Sequence, residues 1–146
     1  MNVGIVYTSV TGNTEEVKNV IEEYIKEYSC TYTAYPITEF PLSSLRYFDI
    51  IMIGTYTWGN GEIPNEMLGL YKAFEQQNTK KIVTGVFGTG DQCYPSFCGA
   101  VDGFRDMLYT QTDLAATLKI ELLPQQQDYG RCKQFVEVIV RRYLKE

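Results

Sequence analysis

The chain has 146 residues, 45% of them hydrophobic and 21% charged, which is the size and composition of one globular domain with a buried core. Its net charge of −5 argues against free binding to nucleic acid, which begins by neutralising phosphates, and points to basic protein surfaces as partners. It contains no histidine, which removes Ser-His-Asp and Cys-His nucleophilic schemes and most zinc sites.

Val3–Tyr7 is a short apolar run of strand type. No basic region with a long apolar core precedes it, so no secretory signal is expected. Val17, Val20, Ile21, Tyr24 and Ile25 then fall three and four apart, along one face of a helix. A weaker strand follows at Thr31–Tyr35, with Pro36 and Pro41 bounding a loop. Ile50–Ile53 is the strongest buried-strand signal and ends at Gly54. Pro64 suits the first position of a helix whose apolar face is Met67, Leu70, Tyr71 and Phe74. Lys81–Phe87 reads as a strand, and Phe97, Ala100, Val101, Phe104 and Leu108 as a helical face. Leu118–Leu122 reads as the last strand, and Cys132, Phe135, Ile139 and Tyr143 as the last helical stripe. No stretch approaches the roughly 20 apolar residues of a membrane span. The four cysteines, Cys30, Cys93, Cys98 and Cys132, lack CxxC spacing, so a reduced, cytoplasmic protein is expected.

Strands alternating with helices over residues 1–146 predict a single α/β domain, a parallel sheet covered by helices on both faces. Right-handed crossovers put every strand-to-helix loop on the carboxyl edge of that sheet, where ligands bind in such folds. The loops to read are therefore Thr8–Thr14, Thr55–Ile63 and Gly88–Phe97.

The first loop, Thr8-Ser9-Val10-Thr11-Gly12-Asn13-Thr14, crowds hydroxyls and a glycine at a helix amino terminus. Free amides and the helix dipole make such a place an anion site. The plain alternative is a helix cap supplied by Asn13 or Thr14. GxxxxGK[ST] is absent, and the loop has no cysteine nucleophile, lysine or arginine. A phosphate here would be held rather than transferred, because transfer needs positive charge. The second loop, Gly54 to Glu62, carries Thr55, Tyr56, Thr57, Asn60 and the only tryptophan, Trp58, beside the glycines Gly59 and Gly61. An exposed loop is a poor place for a large aromatic unless a planar ligand covers it. The third loop holds Gly88, Thr89, Gly90, Asp91, Cys93, Tyr94, Phe97 and Cys98. A phosphate cradle and two aromatics on one edge describe a flat ring with a phosphate tail, the shape of flavin mononucleotide (FMN).

These motifs resemble the flavodoxin family over nearly the whole chain. Ser9-Val10-Thr11-Gly12-Asn13-Thr14 is similar to the family's hydroxyl-rich phosphate motif, with Val10 where a hydroxyl is common. Thr57-Trp58-Gly59 is similar to the loop over the inner flavin face, and Gly90-Asp91 through Tyr94, then Phe97 to Asp102, to the loop over the outer face. The resemblance implies a five-stranded sheet in order 2-1-3-4-5 with helices on both sides. It implies bound FMN, backbone amides near Asp91 and Cys98 at the pyrimidine end, and a Gly59–Asn60 peptide that turns on one-electron reduction. The uninterrupted Leu118–Leu122 resembles the short-chain branch.

The implied function is a low-potential one-electron carrier, without substrate turnover of its own, working between a basic flavodoxin or ferredoxin reductase and an acceptor enzyme as a monomer. The alternatives are a flavodoxin-like activator of class Ib ribonucleotide reductase and an FMN-dependent quinone reductase. Counting charges along the chain, the acids Glu15, Glu16, Asp49, Glu62, Glu66, Asp91 and Asp102 are expected to leave the cofactor edge acidic and free of bases.

Overall fold

The computed structural model describes residues 1–145. Five strands, β1 (Asn2–Tyr7), β2 (Thr31–Pro36), β3 (Ile50–Tyr56), β4 (Val83–Gly90) and β5 (Asp113–Glu121), form one sheet in the order 2-1-3-4-5. Every neighbouring pair is parallel, with Ile5 of β1 between Ala34 of β2 and Met52 of β3. Helix α1 (Asn13–Ile25) links β1 to β2, α2 (Leu68–Gln76) links β3 to β4, α3 (Gly99–Gln111) links β4 to β5, and α4 (Gln126–Leu144) follows β5, while β2 runs to β3 without an α-helix.

The two-residue period of a strand divides the apolar residues between two cores. Ile51 and Ile53 of β3 and Val86 of β4 meet Leu70 and Phe74 of α2 and Val101 and Phe104 of α3. Ile50, Met52 and Phe87 face the other way, onto Val17 and Ile21 of α1 and Phe135, Val136 and Ile139 of α4. Gly54 is small for a reason of space: a Cβ there would lie 2.4 Å from the Phe87 ring.

Several boundaries differ from the sequence reading. Pro36 belongs to β2 rather than opening a loop that Pro41 closes, and the stretch after it is not plain loop. It holds short 3-10 turns at Ile37–Glu39 and Leu42–Tyr47, pinned where Phe40, Leu45 and Phe48 are buried beside Tyr35. Pro64 does not begin a helix. Its ψ of 144° is extended, and a 3-10 turn, Asn65–Met67, leads into α2. β4 starts two residues after Lys81 and runs on to Gly90, while β5 starts at Asp113. β5 is longer than its apolar signal because it is an edge strand with mostly half-buried residues, which dilutes that signal. Phe97 and Cys98 precede α3 rather than lie on it, because Cys98 takes a left-handed φ of 51° and helical geometry begins at Gly99.

Candidate functional site

The sheet delivers the three loops to one edge. Thr8 continues β1, its N–H donating to the Gly54 carbonyl at 3.0 Å. Thr8 is buried and its hydroxyl donates to Glu66 Oε2 at 2.8 Å, so it braces the loop instead of facing a ligand. Gly12, with φ of 94°, is the residue before α1 and has no side chain with which to cap it. The cap reading of Asn13 or Thr14 therefore does not apply. Ser9 Oγ instead accepts the Gly12 and Glu15 N–H groups at 3.2 and 3.3 Å, folding the loop around its own hydroxyl. Thr14 is buried, its Oγ1 sharing a hydrogen bond with Thr89 Oγ1 of β4 at 2.8 Å. When Thr89 is the donor of that pair, the Thr14 hydroxyl keeps its proton to give elsewhere.

In the second loop, Thr55 is fully buried and its hydroxyl donates to the Tyr56 carbonyl. Tyr56 donates its phenol to the same Glu66 Oε2 at 2.7 Å. Burial first, and then the Glu66 carboxylate, push the Tyr56 phenol up to about 12. Burial works to raise Glu66, but hydrogen bonds from Tyr56, its own backbone and Thr8 outweigh it and hold the carboxyl below its ordinary value. Thr57 Oγ1 accepts the Ala100 N–H at the start of α3. Trp58 and Glu62 exchange backbone hydrogen bonds of 2.8 and 2.7 Å, closing a tight turn through Gly59, Asn60 and Gly61. Gly59 and Gly61 adopt φ of 54° and 100°, the left-handed region where a Cβ is unwelcome. Gly61 also lies against the third loop, where a Cβ would come 2.6 Å from Ser96 Cβ.

The third loop is tied to the end of β5. Gln92 N–H donates to Glu121 Oε2 at 3.1 Å, and Leu122 N–H to the Gly90 carbonyl at 2.8 Å. Asp91 Oδ1 accepts the Cys93 N–H at 2.9 Å. Asp91 raises the Cys93 thiol, and burial pushes Cys98 up to about 11, so neither is a thiolate near neutrality. Gly88 is buried against Val101 and the Thr55 backbone, and Phe97 packs half-buried into the core.

Between the loops lies a cavity of about 620 Å³. Ser9, Val10, Thr11, Asn13 and Thr14 line one part of it, Tyr56, Thr57, Gly59 and Asn60 another, and Thr89, Gly90, Asp91, Tyr94 and Cys98 the rest. Thr8, Gly12, Thr55, Trp58, Gly61, Gly88 and Phe97, also expected from the sequence, do not line it. Most of these are the buried or turn-forming residues that shape the loops. Trp58 is different, standing 58% exposed beside the lining residues Thr57 and Gly59. Tyr94, 65% exposed, does line the cavity. Sequence reading missed Pro95, Ser96 and Leu122. Leu122 could have been found, since it comes just after the carboxyl end of β5, on the same edge as the three loops.

The acid edge is smaller than charge counting along the chain implies. Asp49 precedes β3 and accepts the Asn2 N–H, which puts it at the opposite end of the sheet. Asp102 is paired with Arg105 at 3.0 Å and with Lys119 of β5 at 2.9 Å, so bases do reach this side. Glu66 is engaged by Thr8 and Tyr56. Glu15, Glu16 and Glu62 remain exposed carboxylates.

The family model of flavodoxins matches residues 5–128. The chain belongs to the flavodoxin family. It is 38% identical over 136 residues to probable flavodoxin 1 of Bacillus subtilis, a match covering 90% of this chain and 85% of the relative. The crystal structure of oxidised flavodoxin 1 from Bacillus cereus superposes with a TM-score of 0.89 at 32% identity, covering 97% of this chain and 98% of that one. A short-chain flavodoxin associated with a bacterial microcompartment superposes at 0.92 with 29% identity, covering 98% and 99%. Flavodoxins are electron-transfer proteins, and this acidic flavodoxin has, among its described residues, no helix long and apolar enough to cross a membrane.

Proposed function

We propose that the chain binds one FMN in this cavity and serves as a one-electron carrier between protein partners. One observation carries the reading: a single cavity joins a hydroxyl-rich helix amino terminus to an aromatic end. Its volume suits a cofactor of this size, since small-molecule sites run to roughly 300–1,000 Å³. The donors fit as well. Loop and helix N–H groups and the hydroxyls of Ser9, Thr11 and Thr14 offer hydrogen bonds to a phosphate, and no basic side chain lines the cavity. Tyr94 gives the ring a stacking face from within, with Trp58 beside it at the rim.

Bound FMN supplies the chemistry that no side chain here has, accepting and releasing electrons singly. The chain holds, orients and shields it. The Gly59 carbonyl, in a turn whose glycines tolerate unusual backbone angles, would be an acceptor for a protonated ring nitrogen of bound FMN. Turnover of a separate substrate has little support, because Asp91 is the one carboxylate among the lining residues and it is occupied by the Cys93 N–H. The exposed carboxylates favour a basic reductase and a separate acceptor protein as partners, and the free thiols a reducing cytoplasm.

The purified protein, incubated with FMN and desalted, should retain one FMN per chain with its fluorescence quenched, and should hold riboflavin far more weakly. A protein that remains colourless after this treatment is not an FMN carrier.

A further inference from the structure

Three non-glycine residues among those described have left-handed backbones: Cys98, Leu122 and Lys145. Cys98 precedes α3 and Lys145 ends α4, so both belong to helix termini. Leu122, with φ of 54°, comes directly after a strand. A leucine is disfavoured there relative to glycine or asparagine, because its Cβ crowds the following carbonyl. It is held in place from both sides: its N–H by the Gly90 carbonyl, and its neighbour Glu121 by the Gln92 N–H. Its side chain does not fill the core, for the residue is 48% exposed, yet it lines the cavity.

The sheet order says which end of the cavity this is. Going from β1 through β3 and β4 to β5 crosses three strand spacings, roughly 14 Å at about 4.8 Å each. Leu122 thus stands at the end remote from the phosphate loop, beside Gly90 and the Tyr94 segment.

We propose that Leu122 is a contact residue of the cofactor site, an apolar wall that holds the ring end and limits the water reaching it. This rests on the FMN reading. Because the wall meets the ring and not the phosphate, its removal weakens FMN and riboflavin alike. Variants of the phosphate loop instead separate the two ligands.

The test compares the parent with Leu122→Gly and Leu122→Asn, both of which accept a left-handed φ. Affinities for FMN and riboflavin are read by fluorescence quenching, the stability of the apoprotein by thermal melting, and the potentials of the FMN form by anaerobic titration. Expected are apoproteins that melt no lower than the parent and dissociation constants about tenfold higher for both flavins, the loss of a half-buried leucine contact. The second reduction of bound FMN should also become easier, as water reaches the anionic reduced ring. Unchanged affinities in both variants would overturn the role of Leu122, as would a loss confined to FMN or apoproteins that melt lower in step with their weaker binding. A parent that binds neither flavin overturns the cofactor reading as well.

Discussion

Glu66 is an exposed residue that does more than carry surface charge. Its Oε2 takes the hydroxyls of Thr8, after β1, and Tyr56, at the end of β3, and so ties the first loop to the second. Replacing it with alanine leaves both hydroxyls seeking water and frees the Tyr56 ring at the cavity wall. We expect Glu66→Ala to lose about 1 kcal/mol in urea unfolding, less than is usual for hydrogen bonds to a charged group because this carboxylate is solvated. Glu66→Gln keeps an acceptor and should lose less. The pH dependence has a definite sign. A carboxyl with a lowered folded pKa contributes stability above its ordinary value and loses it as pH falls through its lower folded value. Parent and Glu66→Gln should therefore converge in acid and differ near neutrality. A stability difference independent of pH would show that the charge of Glu66 plays no part. Nothing in the sequence links Glu66 to Thr8, since the two are 58 residues apart and meet only because β1 and β3 are neighbours.

Among the elements, those made of continuous apolar runs are readable from the sequence, and so is the order in which they alternate. β3 is the clearest case, six of its seven residues being buried, so no other assignment competes. β5 is only half legible because Asp113, Thr117 and Lys119 interrupt it on the exposed edge of the sheet. The site divides in the same way. Ser9 to Thr14 announce themselves by composition, whereas Leu122 carries no chemical mark, and only its place past a strand end gives it meaning. The pairing of Asp102 with Lys119 is equally hidden, being a contact between α3 and β5. The second and third loops also touch at glycines, which a linear reading sees only as flexibility. A Cβ on Gly99 would lie 2.7 Å from the Gly61 Cα and 2.8 Å from its carbonyl oxygen, backbone that cannot swing aside. We expect Gly99→Ala to cost about 1–3 kcal/mol, the usual range for overpacking, by parting the loops. Its FMN affinity should fall by more than that of Gly130→Ala, a helical glycine whose Cβ meets nothing within 4 Å. Equal FMN affinity in the two would mean that the loop contact does not shape the cavity.

At the scale of the whole molecule, both edges of the sheet differ from its centre, and the outer side of β5 is partly covered. Arg131 of α4 donates to the Lys119 carbonyl at 2.8 Å and Arg142 to the Leu114 carbonyl at 3.2 Å, occupying acceptors that another strand could use. The chain's lack of histidine has a wider effect once the displaced groups are added to it. Histidine is the side chain whose ordinary value lies between about pH 5 and 8. The displaced groups move away from that window: hydrogen bonds take Glu66 down, while burial takes the thiols of Cys30, Cys98 and Cys132 and the phenols of Tyr7, Tyr28 and Tyr56 up, and Asp91 does the same to Cys93. These displaced side chains therefore keep their charge across the physiological range, and the titration to look for there is that of the guest. A phosphate monoester gains its second charge near about pH 6, whereas riboflavin carries no such group. Between about pH 6 and 8, calorimetry should accordingly find riboflavin affinity level while FMN affinity follows the ionisation of its phosphate.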